Sequence, residues 1–307
     1  MESYDVIIIG GGPAGLTAGI YNTRGGLKTL LVEKITPGGQ ANWTYVVENY
    51  PGFPEGTSGP KLMQDMQKQA EHFGLKIISE EVLSVSINGD KKVVKTSSGE
   101  YEAKAVIVAT GARPQKLGVP GEDAFTGKGI SYCATCDGPL FRNKGVLVIG
   151  GGDAAIEEAL FLTAFAEKVT IIHRRDKLRA SKILEERAFA NKKISFIWDS
   201  VVEEIKGEKM FSKAAIKNVK TGDTKDIPAD GMFIFIGTQP DTGFIEDIVN
   251  TDETGYILTD ENMQSSAKGV FACGDVRKKL LRQIVTACGE GATAAVAAEI
   301  YINSLKG

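Results

Sequence analysis

The stretch Asp5-Val6-Ile7-Ile8-Ile9-Gly10-Gly11-Gly12-Pro13-Ala14-Gly15 joins an apolar run to a cluster of glycines. The apolar run at residues 4–9 is typical of a strand that is buried on both faces. Its Gly-x-Gly-x-x-Gly spacing, placed before a predicted helix, indicates a turn in which a dinucleotide pyrophosphate approaches the backbone and the helix N-terminus. On its own the motif is weak evidence, because many glycine turns only connect elements.

The same pattern recurs 140 residues later, where the predicted strand 145–149 leads into Gly150-Gly151-Gly152-Asp153-Ala154-Ala155. Each copy is followed by a second predicted strand, at residues 29–32 and 169–172. Each copy also ends on a third strand and a glycine turn: strand 105–108 with Ala109-Thr110-Gly111-Ala112-Arg113-Pro114, and strand 231–235 with Ile236-Gly237-Thr238-Gln239-Pro240. Three landmarks in the same order predict an α/β protein with two Rossmann-like, dinucleotide-binding domains.

The end of the second strand distinguishes the two copies. Glu33 stands 18 residues after Gly15, and His173 stands 18 residues after Ala155. An acid at this position hydrogen-bonds a ribose hydroxyl, so the first copy suits FAD. The second copy continues as His173-Arg174-Arg175, with Arg179 one turn further on. These guanidinium groups predict recognition of the 2′-phosphate of NADPH, although such a charged run can also be a solvated turn.

A second FAD signal lies near the C-terminus. The predicted strand 269–272 leads into Gly274 and Asp275, ahead of an Ala-rich helix predicted for residues 287–301. Asp275 would hydrogen-bond the ribityl hydroxyls of a flavin. The FAD domain is therefore expected to be discontinuous, comprising residues 1–115 and 242–307. The NADPH domain, residues 116–241, is inserted into it, and the two linkers make a plausible hinge.

Cys133-Ala134-Thr135-Cys136 predicts a redox-active dithiol, because two cysteines at this spacing at a helix start can form a small disulfide and a thiolate of low pKa. The alternative is half of a zinc site, but the sequence offers no second CxxC or histidine pair to complete it, and we expect no metal. Cys273 and Cys288 are expected to be small buried apolar residues. Asp137 is the candidate proton donor to the dithiol, with helix capping as its alternative role.

Composition narrows the function classes. A length of 307 residues favours two domains. The net charge of −3 disfavours a nucleic-acid partner. No apolar run approaches the roughly 20 residues of a membrane span, and residues 1–5 show no signal peptide. We expect a cytoplasmic protein with neither a membrane nor a nucleic-acid partner.

Taken together, these motifs resemble the low-molecular-weight bacterial thioredoxin reductases, the class II pyridine nucleotide-disulfide oxidoreductases. The resemblance covers essentially the whole chain, including Asn49-Tyr50-Pro51-Gly52 and Arg282-Gln283, and Cys133-Ala134-Thr135-Cys136-Asp137-Gly138 is its most specific segment. It implies three-layer ββα domains and a cytoplasmic homodimer with FAD and NADPH. It also implies that Cys136 faces the flavin and that Cys133 attacks the disulfide of thioredoxin after the domains rotate.

The resemblance also implies the cofactor contacts. Those to FAD are Gly10, Gly12, Pro13, Ala14, Gly15, Glu33, Gln40, Asn49, Val82, Ala109, Thr110, Gly111, Gly274, Asp275, Arg282 and Gln283. Those to NADPH are Gly150, Gly152, Asp153, Ala154, Ala155, His173, Arg174, Arg175, Arg179, Ile236 and Gly237.

Two other functions fit the sequence less well. One is a dithiol flavoprotein with another electron donor or a small-molecule disulfide substrate, which the intact His173-Arg174-Arg175 run disfavours. The other is a redox-inert nucleotide-binding scaffold, which the CxxC pair disfavours. The larger disulfide reductases are excluded, because residues 37–43 hold no cysteine and the C-terminal region holds no histidine.

Overall fold

The computed structural model describes residues 1–44 and 47–305, apart from the side chain of Cys136. The chain divides into two compact units. Unit 1 consists of residues 1–113 together with the segment from residue 239 onward, and unit 2 consists of residues 114–238. Unit 2 is therefore inserted between two segments of unit 1.

The secondary structure alternates between strands and helices. Up to the first crossing between units the elements are β1 (Glu2–Ile9), α1 (Pro13–Arg24), β2 (Thr29–Glu33), α2 (Gly59–His72), β3 (Lys76–Ser79), β4 (Val82–Asn88), β5 (Lys91–Thr96), β6 (Glu100–Val108) and β7 (Ala112–Pro114). Next come α3 (Glu122–Phe125), β8 (Ile130–Ser131), α4 (Ala134–Asp137), β9 (Gly145–Ile149), α5 (Asp153–Leu162), β10 (Lys168–Ile172), α6 (Lys182–Ala190), β11 (Ile194–Ile197), β12 (Ser200–Gly207), β13 (Phe211–Asn218), β14 (Thr224–Pro228) and β15 (Gly231–Ile234). The last elements are β16 (Thr238–Pro240), β17 (Val270–Ala272) and α7 (Ile284–Ser304), and short 3-10 turns lie at Gly39–Trp43, Gly138–Phe141 and Gly274–Val276.

The main sheet of unit 1 has the order β3-β2-β1-β6-β5-β4, and β17 also pairs with β6. The pairs among β1, β2, β3, β6 and β17 are parallel, whereas β4, β5 and β6 form an antiparallel meander. Ile9 lies beside both Val32 and Val108. The carboxyl ends of β1, β2 and β6 therefore meet at the first glycine turn, the edge where open parallel sheets bind ligands.

Strand β1 is apolar throughout because both of its faces are buried. Val6 and Ile8 pack into a core with residues of α1, α2 and α7, and Ile7 and Ile9 pack into a second core on the opposite face of the sheet. Helices α1 and α7 pack closely, since a Cβ on Gly291 would lie 2.2 Å from the carbonyl oxygen of Ala14.

Unit 2 is built on the parallel sheet β11-β10-β9-β15-β8, and the antiparallel sheet β12-β13-β14 forms a separate layer. On one face of β9, Val146 and Val148 pack against residues of α5 and α6. On the other face, Leu147 and Ile149 pack against residues of β12 and β13. This succession of sheet, sheet and helices is the predicted three-layer arrangement.

The predicted strands around both glycine motifs are all present. Most of them begin or end one to five residues away from the predicted limits. The predicted strand 231–235 ends at Ile234, and the strand predicted from residue 269 begins at Val270. The helix predicted for residues 287–301 is longer, running over Ile284–Ser304. Among the described residues, no helix combines the length and apolar character that a membrane span requires.

Candidate active site

The first glycine turn depends on close backbone contacts that exclude side chains. A Cβ on Gly10, whose φ is 104°, would lie 2.4 Å from the carbonyl oxygen of Ala109, and one on Gly15 would lie 1.9 Å from that of Gly10. At Gly12, by contrast, no atom lies within 4 Å of the position a Cβ would take. Gly12 is also the N-cap of α1 and, as a glycine, it provides no side-chain hydrogen bond to the first amides of the helix. The turn is therefore closely packed at Gly10 and Gly15 but open at Gly12. This opening suits close approach by an anion.

Glu33 fixes this turn from the end of β2. Its Oε2 accepts a hydrogen bond of 2.7 Å from the backbone amide of Gly11, and its Oε1 accepts one of 3.1 Å from that of Ile35. The carboxylate thus lies against the glycine turn, the position from which a ribose hydroxyl is read.

The second glycine turn repeats this arrangement in unit 2. Gly150 has a φ of 147°, and a Cβ there would lie 2.3 Å from the carbonyl oxygen of Phe235 and 2.7 Å from the Cβ of Ala155. Gly152 is open, with no atom within 4 Å, and caps α5 without a side-chain hydrogen bond. Oδ1 of Asp153 accepts a 2.6 Å hydrogen bond from the amide of Ser181, which ties the helix start to the next loop.

His173 lies beneath this turn, whereas the arginines after it lie on the surface. His173 is only 4% exposed, and a Cβ on Gly151 would lie 2.5 Å from its ring. Burial, and then the charges of Arg179, Arg175 and Arg174, lower the pKa of His173. The three arginine side chains are exposed, and the amide of Arg179 donates a 2.6 Å hydrogen bond to the carbonyl oxygen of Gly151. His173 therefore supports the turn as a neutral ring, and the arginines provide the positive charge.

The segment after β17 contains polar groups that lack partners. Oδ1 of Asp275 is inaccessible to solvent and has no hydrogen-bond partner, although Nζ of Lys279 lies 3.4 Å from it as an ion pair. Burial raises the pKa of Asp275, and Lys279 opposes the shift. Nε of Arg282 is likewise buried without a partner, while its guanidinium lies 4.1 Å from the ring centre of Tyr256.

Glu290 holds this segment in place, and the sequence alone did not single it out. Its Oε2 accepts a 2.8 Å hydrogen bond from the amide of Gly274, and its Oε1 accepts one of 2.9 Å from Nη1 of Arg277. Its signal in the sequence is that it is an isolated acid in the first half of a helix made of small residues.

Other predicted FAD contacts are distributed around unit 1. Nδ2 of Asn49 donates a 3.0 Å hydrogen bond to Oε1 of Gln283, the N-cap of α7. Nε2 of Gln40 donates to the carbonyl oxygen of Ala112, and Oγ1 of Thr110 donates to that of Asp241 at 2.8 Å. Val82 begins β4 and packs against the core that contains Ile7.

Gly237 is a predicted NADPH contact in unit 2. Its carbonyl oxygen accepts a 2.9 Å hydrogen bond from the amide of Gln115.

The CxxC segment lies between β8 and β9 in unit 2. Cys133 is disulfide-bonded, and Oγ of Ser131 accepts a 3.0 Å hydrogen bond from its amide. Asp137 ends the short helix α4, and its amide donates to the carbonyl oxygen of Cys133 at 3.2 Å. The side chain of Cys136 lies outside the described residues. A disulfide-bonded sulfur is not a thiolate ligand, so Cys133 in this state does not suit a zinc site.

The remaining cysteines differ from each other. Cys273 is fully buried and free, as predicted, and burial raises the pKa of its thiol. Cys288 is free but only partly buried, so the prediction of a buried apolar residue holds for it only in part. The hydroxyl of Tyr50 donates to its Sγ at 3.8 Å, and burial raises the pKa of Tyr50 to about 12.

Comparison with known proteins places this geometry in a family. The model of the pyridine nucleotide-disulphide oxidoreductases matches residues 4–291, and the chain therefore belongs to that family of enzymes. A thioredoxin reductase of Peptoclostridium litorale is 51% identical over 308 residues, covering 98% of this chain and 98% of that protein. A thioredoxin reductase of Bacillus subtilis is 48% identical over 304 residues, covering 99% and 96%.

Solved structures agree with the sequence relatives. Lactococcus lactis thioredoxin reductase in its FR conformation has a TM-score of 0.96 and 49% identity, covering 98% of this chain and 99% of that chain. The resemblance drawn from the motifs is thereby confirmed, as are the two Rossmann-like domains. Membership of this group implies the use of FAD and NADPH.

The residues present fit both cofactors. The open positions at Gly12 and Gly152, each at the N-terminus of a helix without a side-chain cap, leave room and amide donors for two pyrophosphates. In unit 1, Oδ1 of Asp275 and Nε of Arg282 are buried polar atoms whose hydrogen bonds a polar ligand can complete. In unit 2, the exposed arginines match the charge of a 2′-phosphate.

Proposed function

We propose that this chain is an NADPH-dependent thioredoxin-disulfide reductase, in which Cys133 and Cys136 form the redox-active pair. The observation that carries the proposal is that Cys133 is disulfide-bonded in a CxxC segment of a chain with two nucleotide-binding glycine turns. Relatives that are about half identical over the full chain are thioredoxin reductases. When bound, NADPH supplies a hydride and FAD relays two electrons to a disulfide.

We assign FAD to unit 1 and NADPH to unit 2. In unit 1, Glu33 holds the glycine turn and would read the adenosine ribose, while Asp275 would accept from the ribityl hydroxyls. In unit 2, Arg174, Arg175 and Arg179 would hold the 2′-phosphate. His173 supports their turn from below, because it is buried against Gly151.

The dithiol residues have separate roles in this proposal. Cys133 attacks the disulfide of thioredoxin, forming a mixed disulfide, and Cys136 attacks Cys133 to release reduced thioredoxin. Asp137, adjacent to Cys136 in the chain, delivers a proton to the dithiolate when the Cys133–Cys136 disulfide is reduced. The two units rotate between the reduction of the disulfide and its exchange with thioredoxin.

We propose that the enzyme is a homodimer located in the cytoplasm. Val285, Val296 and Ile300 lie on one side of α7 and are 39%, 45% and 66% exposed. An apolar helix face of this kind suits burial against a second copy. A single CxxC pair among four cysteines fits a cytoplasmic redox enzyme, where disulfides are usually catalytic.

The test is turnover of a thioredoxin. The FAD-loaded protein should oxidise NADPH in multiple turnovers only when oxidised thioredoxin is present, with one new thioredoxin dithiol for each NADPH consumed in turnover. Glu203→Gln, on an exposed part of β12, is the matched surface control. Consumption of NADPH without reduction of thioredoxin, across thioredoxins from several bacteria, would favour the small-molecule disulfide reductase instead.

A further inference from the structure

Glu158 lies on the side of α5 against which the CxxC segment packs. Its carboxylate lies close enough to the backbone amide of Ala134, the residue after Cys133, for that amide to lower its pKa. Ala134 is fully buried in one cluster with Ala155, Ile156 and Ala159. The start of α4 is therefore docked on α5, with the Glu158 carboxylate at the peptide that follows Cys133.

The second oxygen of this carboxylate is not satisfied. Oε2 of Glu158 is inaccessible to solvent and has no hydrogen-bond partner. A carboxylate oxygen that is inaccessible and unpartnered is a candidate for a role beyond stability. Its neighbour Glu157 is exposed by comparison, so the two acids differ in environment although they are adjacent in the chain.

The charge of Glu158 changes close to neutral pH. Burial raises its pKa to about 7, Glu157 adds to the rise, and the Ala134 amide opposes it. The other ionisable side chains on elements that pack against α5 are Asp137 of α4, Lys168 of β10, and Lys182, Glu185, Glu186 and Arg187 of α6. Cys133 itself lies one residue before the Ala134 amide.

We propose that Glu158 is a positioning residue for the redox pair, which anchors the peptide after Cys133 and whose negative charge disfavours the Cys133 thiolate. The inference rests on the proposed function, since it takes Cys133 to cycle between disulfide and thiol. Below neutral pH the carboxyl is protonated, and it then no longer opposes ionisation of the Cys133 thiol. Above neutral pH the ionised carboxylate holds the proton on sulfur, which links the reactivity of the dithiol to pH.

The size of the effect follows from electrostatics. A like charge close to a titrating group shifts its titration by roughly one to three pH units. Partial exposure of the site reduces this shift, so we expect about one pH unit.

The test is the pH profile of cysteine alkylation in the full-length protein, reduced with a chemical reductant and without NADPH. Glu158→Gln keeps an acceptor for the Ala134 amide but removes the charge, Glu158→Met removes both, and Glu157→Gln is the matched control.

Iodoacetamide labelling of Cys133, followed by mass spectrometry, should shift to lower pH by about one unit in Glu158→Gln. The control should shift by less than about a third of a unit, and labelling of Cys288 in the same samples reports whether the fold is intact. Superposable Cys133 profiles for Glu158→Gln and the wild type would overturn the proposal.

A second measurement separates charge from mere packing. Because the folded-state pKa of Glu158 is raised above its unfolded value, the ionised acid destabilises the fold as pH rises through about 7. Glu158→Gln should therefore raise the thermal midpoint more at pH 8 than at pH 5. Equal changes at the two pH values would show a structural role only. Neither measurement uses thioredoxin. If the alkylation profile shifts as expected but the protein does not turn over thioredoxin, the proposed function is refuted and the role of Glu158 is not.

Discussion

The carboxylate of Glu33 accepts a 2.7 Å hydrogen bond from the backbone amide of Gly11. The last residue of β2 thereby holds the middle of the turn that follows β1. The acid proposed to read the ribose is thus also a structural support of the glycine turn, and we expect cofactor binding and local order to depend on the same side chain.

Replacing Glu33 by Ala should weaken FAD binding by at least about tenfold and lower the free energy of unfolding by about 1–2 kcal/mol, because two backbone amides lose their acceptor. Glu33→Gln keeps an acceptor oxygen and should have an intermediate effect. Fluorescence titration of the apoprotein with FAD, together with urea unfolding, measures both quantities. An unchanged FAD dissociation constant in Glu33→Ala would contradict the role assigned to this residue.

Substitution of the open glycines should separate cofactor binding from folding. A Cβ at Gly12 or Gly152 meets no atom within 4 Å, and their φ values of −72° and −98° suit alanine. Gly12→Ala should lower FAD affinity and Gly152→Ala should lower NADPH affinity, each with a loss of stability of about 1 kcal/mol or less, because alanine is a poorer N-cap than glycine.

The matched control for these substitutions is Gly15→Ala, whose Cβ would lie 1.9 Å from the carbonyl oxygen of Gly10. This variant should be clearly destabilised even without a cofactor. Thermal unfolding of the three apoproteins makes the comparison. If Gly12→Ala is as unstable as Gly15→Ala, the space above Gly12 is not the open cradle described here.

The arginines after β10 should determine the choice between NADPH and NADH. Combined replacement of Arg174 and Arg175 by Ala should raise the KM for NADPH by at least about 100-fold, since each contact of a guanidinium with a phosphate contributes roughly 1.5–3 kcal/mol when well formed. The KM for NADH should change by less than about threefold, because NADH lacks the 2′-phosphate. Steady-state kinetics with both donors checks this, and equal losses for the two would exclude phosphate recognition by this pair.

The strands and glycine turns were predictable because their signals are local. A continuous apolar run such as residues 4–9, followed by glycines at fixed spacing, defines a buried strand and its turn without reference to distant residues. The spacing likewise placed Glu33 and the arginine run at the ends of their second strands. The acid and the basic run at equivalent positions predict that the two turns bind different nucleotides.

The contacts that depend on distant parts of the chain were not predictable. Glu290 accepts a hydrogen bond from the amide of Gly274, 16 residues earlier, and the Glu158 carboxylate lies near the amide of Ala134 of a neighbouring helix. In both cases an ordinary helical acid acquires a role only through tertiary packing. Similarly, the sequence placed His173 at the start of a basic run, but its burial against Gly151 is set by how closely the turn packs.

The apolar face of α7 should control the oligomeric state. Replacing both Val296 and Ile300 by Asp should convert a dimer to a monomer, because each charge would have to be buried without a partner in the dimer. Ile183→Asp, at a residue of α6 that is 57% exposed, is the matched surface control. Sedimentation velocity gives the mass in solution, and a double variant with the same mass as the wild type would show that this face is not the interface.

The central claim is that electrons from NADPH arrive at Cys133 and Cys136, and the most direct test is to count thiols during anaerobic titration of the FAD-loaded protein. Samples are alkylated after each addition of NADPH and mapped by mass spectrometry. The account predicts two new alkylated cysteines at positions 133 and 136, with Cys273 and Cys288 unchanged by the addition. Consumption of NADPH with no new thiols at those two positions would contradict it.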